Sequence, residues 1–226
     1  KFVEDEINLQ KKYGPVYTGK KRVNAINEAI NNNINVAVLD DGYQDFSIKK
    51  DFSIVCFNEK QWIGNGLTIP SGPLREGLAS LERANCVVIN GRKNSKIENT
   101  ILQKNKEIKI FYMSYKTQNI DKYKNKKVIA FAGIGNPINF FNLLDNNHIN
   151  VVEKSNFPDH YNYSDKELQN LIDKAKSKNA ILLTTEKDFL RIKKNFSEKI
   201  NFLKIFVDIN NKDEFIKYIK SIIWKL

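Results

Sequence analysis

The stretch "KVIAFAGIGNPINFFNLLD" (residues 127–145) joins a strand, a tight turn and a helix. After Lys127, residues 128–132 are apolar without alternation, which is typical of a strand covered on both faces of a parallel sheet. A Gly-x-Gly turn follows, and Pro137 suits the first turn of a helix. The turn has the shape of an anion site but equally that of a plain connection. The stretch therefore predicts an α/β protein.

The same alternation of apolar runs and helical patterns extends over the rest of the chain. Ser164 and Glu167 form a capping box, which predicts where one helix begins. The polar segment 116–127 is the best linker and predicts two domains, residues 1–118 and 119–226. Further strands are predicted at residues 16–18, 36–39, 52–57, 86–90, 108–113, 150–153, 180–184 and 202–207, and helices at residues 22–31, 137–145, 164–177 and 212–224.

The composition limits the function classes. The net charge is +11, but the lysines are scattered and lack an aromatic RNA-binding motif, so no nucleic-acid partner is expected. An anionic membrane surface suits this charge, although lysine-rich, A+T-biased codon usage also explains it. The apolar runs are too short to span a bilayer. Cys56 and Cys86 lie in strand-like runs, and we expect them to be reduced residues of a cytosolic protein.

A pair of acids points to a metal. Asp40 and Asp41 follow the apolar run 36–39 and precede Gly42. Ligands of α/β sheets bind beyond the carboxyl ends of the strands, and carboxylates there suit Mg²⁺ on a nucleotide phosphate. Asp-Gly is also a common turn dipeptide, so the alternative is a simple turn.

Two loops carry further candidates. Residues 64–77 hold four glycines and two prolines, which indicates a backbone shaped for close approach to a ligand. Arg75 can bind a phosphate there, and Glu76 can support Mg²⁺ or a lysine, although both also suit an exposed helix start. "FPDHYNYS" (residues 157–164) holds His160. In "LLTTEKDFLRI" (residues 182–192) a strand ends in two threonines and a Glu-Lys-Asp triplet, which can line the same cleft, although the Thr-x-x-Asp spacing also suits a helix cap.

In order along the chain, "VEDE", "DDGYQ", "GNGLTIPSGPLRE", "FAGIGNPINFF", "FPDHYNYS" and "TTEKDFLRI" resemble the tetraacyldisaccharide 4'-kinase family. The resemblance implies a P-loop-kinase-like parallel sheet core with a smaller C-terminal α/β domain. It implies transfer of the ATP γ-phosphate to the 4'-hydroxyl of a lipid A disaccharide 1-phosphate, with Mg²⁺. It also implies a monomer in peripheral contact with the inner membrane, at its cytoplasmic face.

The resemblance assigns roles residue by residue. Asp40 and Asp41 match the metal-binding acids, and Gln44, Arg75 and Glu76 match other active-site positions. Asp5 matches the family's general base, and His160 matches the histidine paired with it.

Departures from the family pattern qualify these roles. Glu4 and Asp45 stand where the family commonly has Gly and His. No Walker A pattern occurs in the 226 residues. We therefore expect a fragment that lacks its P-loop strand and is inactive alone. A metal-dependent nucleotide-sugar glycosyltransferase and a non-catalytic lipid-binding fragment remain as alternatives.

Overall fold

The computed structural model describes the backbone of residues 4–224 and the side chains of residues 7–224. The chain divides into two compact units. Unit 1 contains residues up to Val16 together with Thr117–Phe206, and unit 2 contains Tyr17–Lys116 together with residues from Val207 onward.

The two compact units are discontinuous in sequence, whereas the predicted domains, residues 1–118 and 119–226, are each continuous. One crossing between the units falls at 116/117, next to the predicted boundary. The first helix, α1 (Glu4–Gln10), contacts the short helix α6 (Glu186–Phe189) of unit 1. Phe215, near the other end of the chain, packs edge-on against Phe111 of unit 2 at 5.1 Å. Tertiary packing of the two terminal segments therefore overrides their order in sequence.

Unit 1 is built on a parallel sheet with the order β5-β4-β6-β7. Its strands are β4 (Lys127–Ala132), β5 (Asn150–Asn156), β6 (Ile181–Thr185) and β7 (Asn201–Leu203). The main helices are α4 (Pro137–Asn146) and α5 (Asp165–Ser177), and α7 spans Lys194–Ser197.

The central strand β4 explains how this unit is layered. Val128, Ala130 and Ala132 pack into the cluster that contains Phe140 and Leu144 of α4. The alternate residues of β4 enter the cluster around Leu168 and Ile172 of α5. Because β4 is buried on both faces, its unalternating apolar sequence is what this position requires.

Unit 2 holds the sheet order β1-β2-β3-β8, in which the first three strands are parallel. The strands are β1 (Ile54–Asn58), β2 (Cys86–Asn90), β3 (Lys109–Thr117) and β8 (Ile205–Ile209). The helices are α2 (Arg22–Asn31), α3 (Ser95–Lys104) and α8 (Lys212–Ile223). Val87 and Ile89 of β2 pack with Ile97 and Ile101 of α3, whereas Val88 lies in the cluster that Phe215 joins.

Several sequence predictions are corrected by the structure. Residues 16–18 and 36–39 form no strand, and Val38 is 93% exposed. An apolar run becomes a strand only where a neighbour pairs its backbone, and none of the described residues pairs with 36–39. The predicted strand 202–207 is two strands, β7 and β8, interrupted at Lys204. Helices α1 and α3 were not predicted, although Asn94 caps α3 through its side chain.

Candidate active site

The two predicted acids lie in a turn and not at the end of a strand. Asp41 has a left-handed backbone with φ 52°, and the side chain of Asp41 is 57% exposed. Arg22 holds the turn, because its Nη2 atom donates to the carbonyl oxygens of Asp40 at 3.1 Å and Asp41 at 2.9 Å. The guanidinium, not a strand, therefore positions the acids.

Asp45, which stands where the resembled family commonly has His, belongs to the same turn. Its carboxylate accepts from the Ser47 hydroxyl at 2.5 Å and the Ser47 N–H at 2.9 Å, and Arg22 Nη1 lies 3.4 Å away. These contacts, the Ser47 hydroxyl first, lower the pKa of Asp45 below its ordinary value. At this position the acid helps to fix the shape of the turn.

The glycine-rich loop folds back on itself before it reaches Arg75. Ile69 N–H donates to the Leu74 carbonyl at 2.8 Å, and Leu74 N–H donates to the Leu67 carbonyl at 3.2 Å. At Gly72 a Cβ atom would overlap the Leu67 carbonyl oxygen, so only glycine fits there. The density of glycine in this loop thus reflects close packing of the loop against itself.

Arg75 joins the loop to the acidic turn. Its Nη1 atom lies 2.5 Å from Asp41 Oδ2, and this hydrogen bond raises the pKa of the Arg75 guanidinium. Gln44, Arg75 and Glu76 also line one shallow cavity of about 140 Å³. Four of the predicted residues in unit 2 therefore converge, and Asp40 lies next to them in the chain.

A second arginine, Arg83, contacts two residues that line this cavity, Glu76 and Tyr43. Arg83 forms an ion pair with Glu76 and stacks over the rings of Tyr43, at 4.3 Å, and Phe46, at 5.0 Å. The Tyr43 hydroxyl donates to the Ser80 carbonyl at 2.5 Å, and burial raises the pKa of Tyr43. Sequence analysis did not identify Arg22 and Arg83. The rarity of arginine in this lysine-rich chain is the one signal that could have pointed to them.

The donor set in this turn fits Mg²⁺. Among the described residues, no three His, Cys, Asp or Glu side chains come together as a metal cage. Mg²⁺ does not need such a cage, because it is bound through one or two carboxylates, with water and substrate phosphates completing its shell. Asp40 and Asp41 supply two hard oxygen ligands next to a cation, Arg75, that also suits phosphate.

The remaining predicted residues, Asp5 and His160, belong to unit 1. The side chain of Asp5 lies outside the described residues, but its backbone lies in α1, which contacts α6. Lys12, just beyond α1, pairs with Glu186 of α6 at 2.6 Å. His160 N–H donates to the Gly133 carbonyl at 3.1 Å. Because β4 ends just before Gly133 and β6 just before α6, these contacts lie at the same edge of the sheet.

The triplet in "TTEKDFLRI" has a structural role that sequence analysis left open. The Thr185 side chain caps α6 by accepting from Asp188 N–H at 3.0 Å. Asp188 is fully buried and forms an ion pair with Arg191. Only the cap was recognised from the sequence, because two other partners of Asp188, Gly133 and Tyr163, lie 55 and 25 residues away.

Comparisons with known proteins show which family the chain resembles. A family model described as "Tetraacyldisaccharide-1-P 4'-kinase" matches residues 4–223. The chain is 42% identical to a tetraacyldisaccharide 4'-kinase of Pelagibacter ubique, over 92% of this chain and 67% of that protein. It is 37% identical to one from Rickettsia typhi, over 93% of this chain and 65% of that protein. The chain thus spans about two thirds of the length of these relatives.

A solved structure resembles the fold. The crystal structure of the "apo" form of LpxK from Aquifex aeolicus in complex with ATP aligns with a TM-score of 0.57 and 26% sequence identity. The alignment covers 80% of this chain and 56% of that chain. It agrees with the parallel-sheet kinase-like core predicted from the sequence.

Proposed function

We propose that this chain, which belongs to the tetraacyldisaccharide-1-P 4'-kinase family, carries the catalytic residues for transfer of the ATP γ-phosphate to the 4'-hydroxyl of a lipid A disaccharide 1-phosphate. The observation that supports this most directly is the pairing of Asp41 with Arg75, because it joins two separate motifs at one cavity. Family membership also favours the kinase over the glycosyltransferase and over a binding module without activity.

The residues of unit 2 hold the nucleotide phosphates. Asp40 and Asp41 would hold Mg²⁺, which would supply positive charge against the phosphoryl group during transfer. Arg75 lies within hydrogen-bond distance of Asp41, and in the nucleotide complex its guanidinium is available to a phosphate. Gln44 and Glu76 line the same cavity, and an ion pair with Arg83 fixes the position of the Glu76 carboxylate.

The residues of unit 1 remove the proton from the 4'-hydroxyl of the acceptor. The 4'-hydroxyl is a weak nucleophile at neutral pH, so a base must accept its proton as the bond to phosphorus forms. Asp5 is this base, and His160 orients it and relays the proton that it accepts. The described part of α1 supports this role, because it lies at the same edge of the unit 1 sheet as Gly133 and His160.

The substrate also implies where the protein works. Of the helices that the structure describes, none has the length and apolarity needed to cross a membrane. We infer peripheral contact of a monomer with the cytoplasmic face of the inner membrane, because a multiply acylated acceptor resides in a bilayer. The net charge of +11 suits an anionic surface of this kind.

Phosphate transfer from labelled ATP to the lipid A disaccharide 1-phosphate tests the proposal. Asp41→Asn keeps a residue that tolerates φ 52° but removes the negative charge. We expect kcat to fall on the order of a hundredfold, as when one well-placed transition-state contact is lost. The melting temperature should change little, because the Asp41 carboxylate is exposed.

Asp51→Asn is the matched control, because Asp51 is an exposed acid ten residues further along the same segment. An Asp41→Asn protein that keeps full activity at limiting Mg²⁺ would remove the metal site from the proposal. Measuring the 226-residue chain by itself shows whether these residues are sufficient for turnover.

A further inference from the structure

The backbone of Gly133 connects His160 to a buried ion pair. Gly133 N–H lies 3.1 Å from both carboxylate oxygens of Asp188. The Gly133 carbonyl accepts from His160 N–H at 3.1 Å and from Arg191 Nη2 at 2.8 Å. Arg191 Nη2 also donates to Asp188 Oδ1, which closes a ring of hydrogen bonds. His160 is therefore held by the same carbonyl that the arginine holds.

The position of Asp188 is energetically unfavourable for a charged side chain. It is fully buried, and burial of a carboxylate is unfavourable unless the group is paired and hydrogen-bonded. It accepts from the Tyr163 hydroxyl at 2.9 Å and the Thr185 hydroxyl at 2.7 Å, in addition to Gly133 and Arg191. Capping a four-residue helix does not require this many partners, since Thr185 alone supplies the cap.

The partners of Asp188 surround the loop that carries His160. A Cβ atom at Gly133 would lie 2.8 Å from the Tyr163 hydroxyl and 3.1 Å from the Pro158 carbonyl, so the loop rests directly on the glycine backbone. His160 itself has a left-handed backbone with φ 55°. A residue other than glycine keeps this conformation only where its surroundings enforce it.

We propose that Asp188 and Arg191 are positioning residues for His160, on which they act through the backbone of Gly133. The inference rests on the proposed role of His160 in phosphoryl transfer. It assigns a catalytic consequence to an ion pair between the buried Asp188 and the partly buried Arg191. The alternative is that the ion pair only stabilises the fold of unit 1.

Asp188→Asn in the natural protein that carries this chain separates these two roles. Asparagine keeps the size of the side chain but turns an amide N–H₂ toward groups that are themselves donors. We expect kcat to fall on the order of a hundredfold, because a displacement of about 1 Å at a catalytic group has this effect. The KM for ATP should change little, since the residues proposed to hold phosphate belong to unit 2.

A double-mutant cycle with His160→Ala supplies a result that stability alone would not produce. If Asp188 acts through His160, the double mutant should be no slower than the slower single mutant. The imidazole signals in a ¹H–¹⁵N NMR spectrum give a readout independent of turnover. The His160 signal, identified by its loss in His160→Ala, should shift in Asp188→Asn and stay in place in the control Asp173→Asn, an exposed acid of α5.

Every outcome decides the proposal. A lower melting temperature with unchanged kcat and an unchanged His160 signal would leave Asp188 a stabilising residue only, and so would a double mutant whose loss equals the product of the single losses. If Asp188→Asn does not fold, Arg191→Lys carries the same measurements, because the flexible lysine stem does not hold one nitrogen against both Asp188 and the Gly133 carbonyl as the planar guanidinium does. If His160→Ala keeps full kcat, the proposed role of His160 fails, and the NMR shift alone still tests whether Asp188 fixes the position of His160.

Discussion

At the scale of the residue, arginine is used where lysine would not serve. Only five of the 37 basic side chains are arginines. Four of these donate hydrogen bonds to a carboxylate or a carbonyl oxygen in the motifs singled out above: Arg22, Arg75, Arg83 and Arg191. The guanidinium is planar and presents several donors in a fixed geometry, whereas an ammonium is a point charge on a flexible stem. A scarce residue type in a biased composition is therefore a signal of function.

Arg22 is predicted to control metal affinity without touching the metal. In Arg22→Lys the positive charge remains, but one ammonium cannot hold the carbonyls of Asp40 and Asp41 together with the Asp45 carboxylate. We expect the Mg²⁺ concentration at half-maximal rate to rise roughly tenfold, which corresponds to one or two lost charge-assisted hydrogen bonds. Initial rates across a Mg²⁺ series measure this, with Arg92→Lys as the control. An unchanged Mg²⁺ dependence would show that the turn holds its shape without Arg22.

At the scale of the element, the cap of α5 determines where the His160 loop ends. The Ser164 side chain accepts from Glu167 N–H, and the Glu167 carboxylate accepts from Ser164 N–H at 2.8 Å. Tyr161, from the loop itself, donates to Glu167 at 2.7 Å. The cap and the loop thus share one carboxylate, so the start of the helix and the conformation of the loop are coupled.

Removing the cap is predicted to destabilise unit 1 by a measurable amount. Ser164→Ala should lower the free energy of unfolding by about 1 kcal/mol, as for other lost N-caps. Ser177→Ala, at the opposite end of α5, is the matched control, because its hydroxyl bonds only to the Lys174 carbonyl. Chemical denaturation of the three proteins gives the comparison. Equal midpoints for both variants would contradict a capping role.

The same carboxylate is predicted to make stability depend on pH. Hydrogen bonds, first from the Ser164 hydroxyl and then from Tyr161, lower the pKa of Glu167 below its ordinary 4.5. A depressed folded-state pKa means stabilisation that is present above about 4.5 and is lost as the pH falls through the folded value. From neutral pH into this acidic range, the melting temperature should therefore fall less for Glu167→Gln than for the unaltered protein. Parallel curves would assign the acid sensitivity to other groups.

At the scale of the whole molecule, the charge predicts how the protein meets a membrane. With a net charge of +11, it should sediment with vesicles that contain phosphatidylglycerol and not with pure phosphatidylcholine. Each basic residue near such a surface contributes about 1 kcal/mol, and salt screens this attraction. Co-sedimentation at low and high salt measures both effects. Binding to neutral vesicles that salt leaves unchanged would point to apolar insertion in place of charge.

The limits of sequence interpretation follow from the range of the forces involved. The strands β2 and β4 and the helix α2 were predicted to the residue, because burial pattern and periodicity are local. Residues 36–39 have an equally apolar pattern, yet strand formation depends on a pairing partner that the pattern does not reveal. The convergence of Asp41 and Arg75 was expected from family resemblance, not from spacing. The burial of Asp188 was not predicted, since its partners Gly133 and Tyr163 are distant in sequence.

The interleaving of the two units has a consequence for biosynthesis. Strands β1 to β3 of unit 2 leave the ribosome first, but the aromatic side chains of α8 that cover one face of them, Phe215 and Tyr218, are translated only after the α/β segment of unit 1. Domains generally fold as units while the chain is being made, at about 5–20 residues per second. Unit 1 can thus bury both faces of its sheet while Phe111 and Phe52 still await Phe215 and Tyr218. For those seconds the nascent unit that carries the acidic turn exposes an apolar sheet face, which makes it the part of the polypeptide that chaperones are most apt to bind.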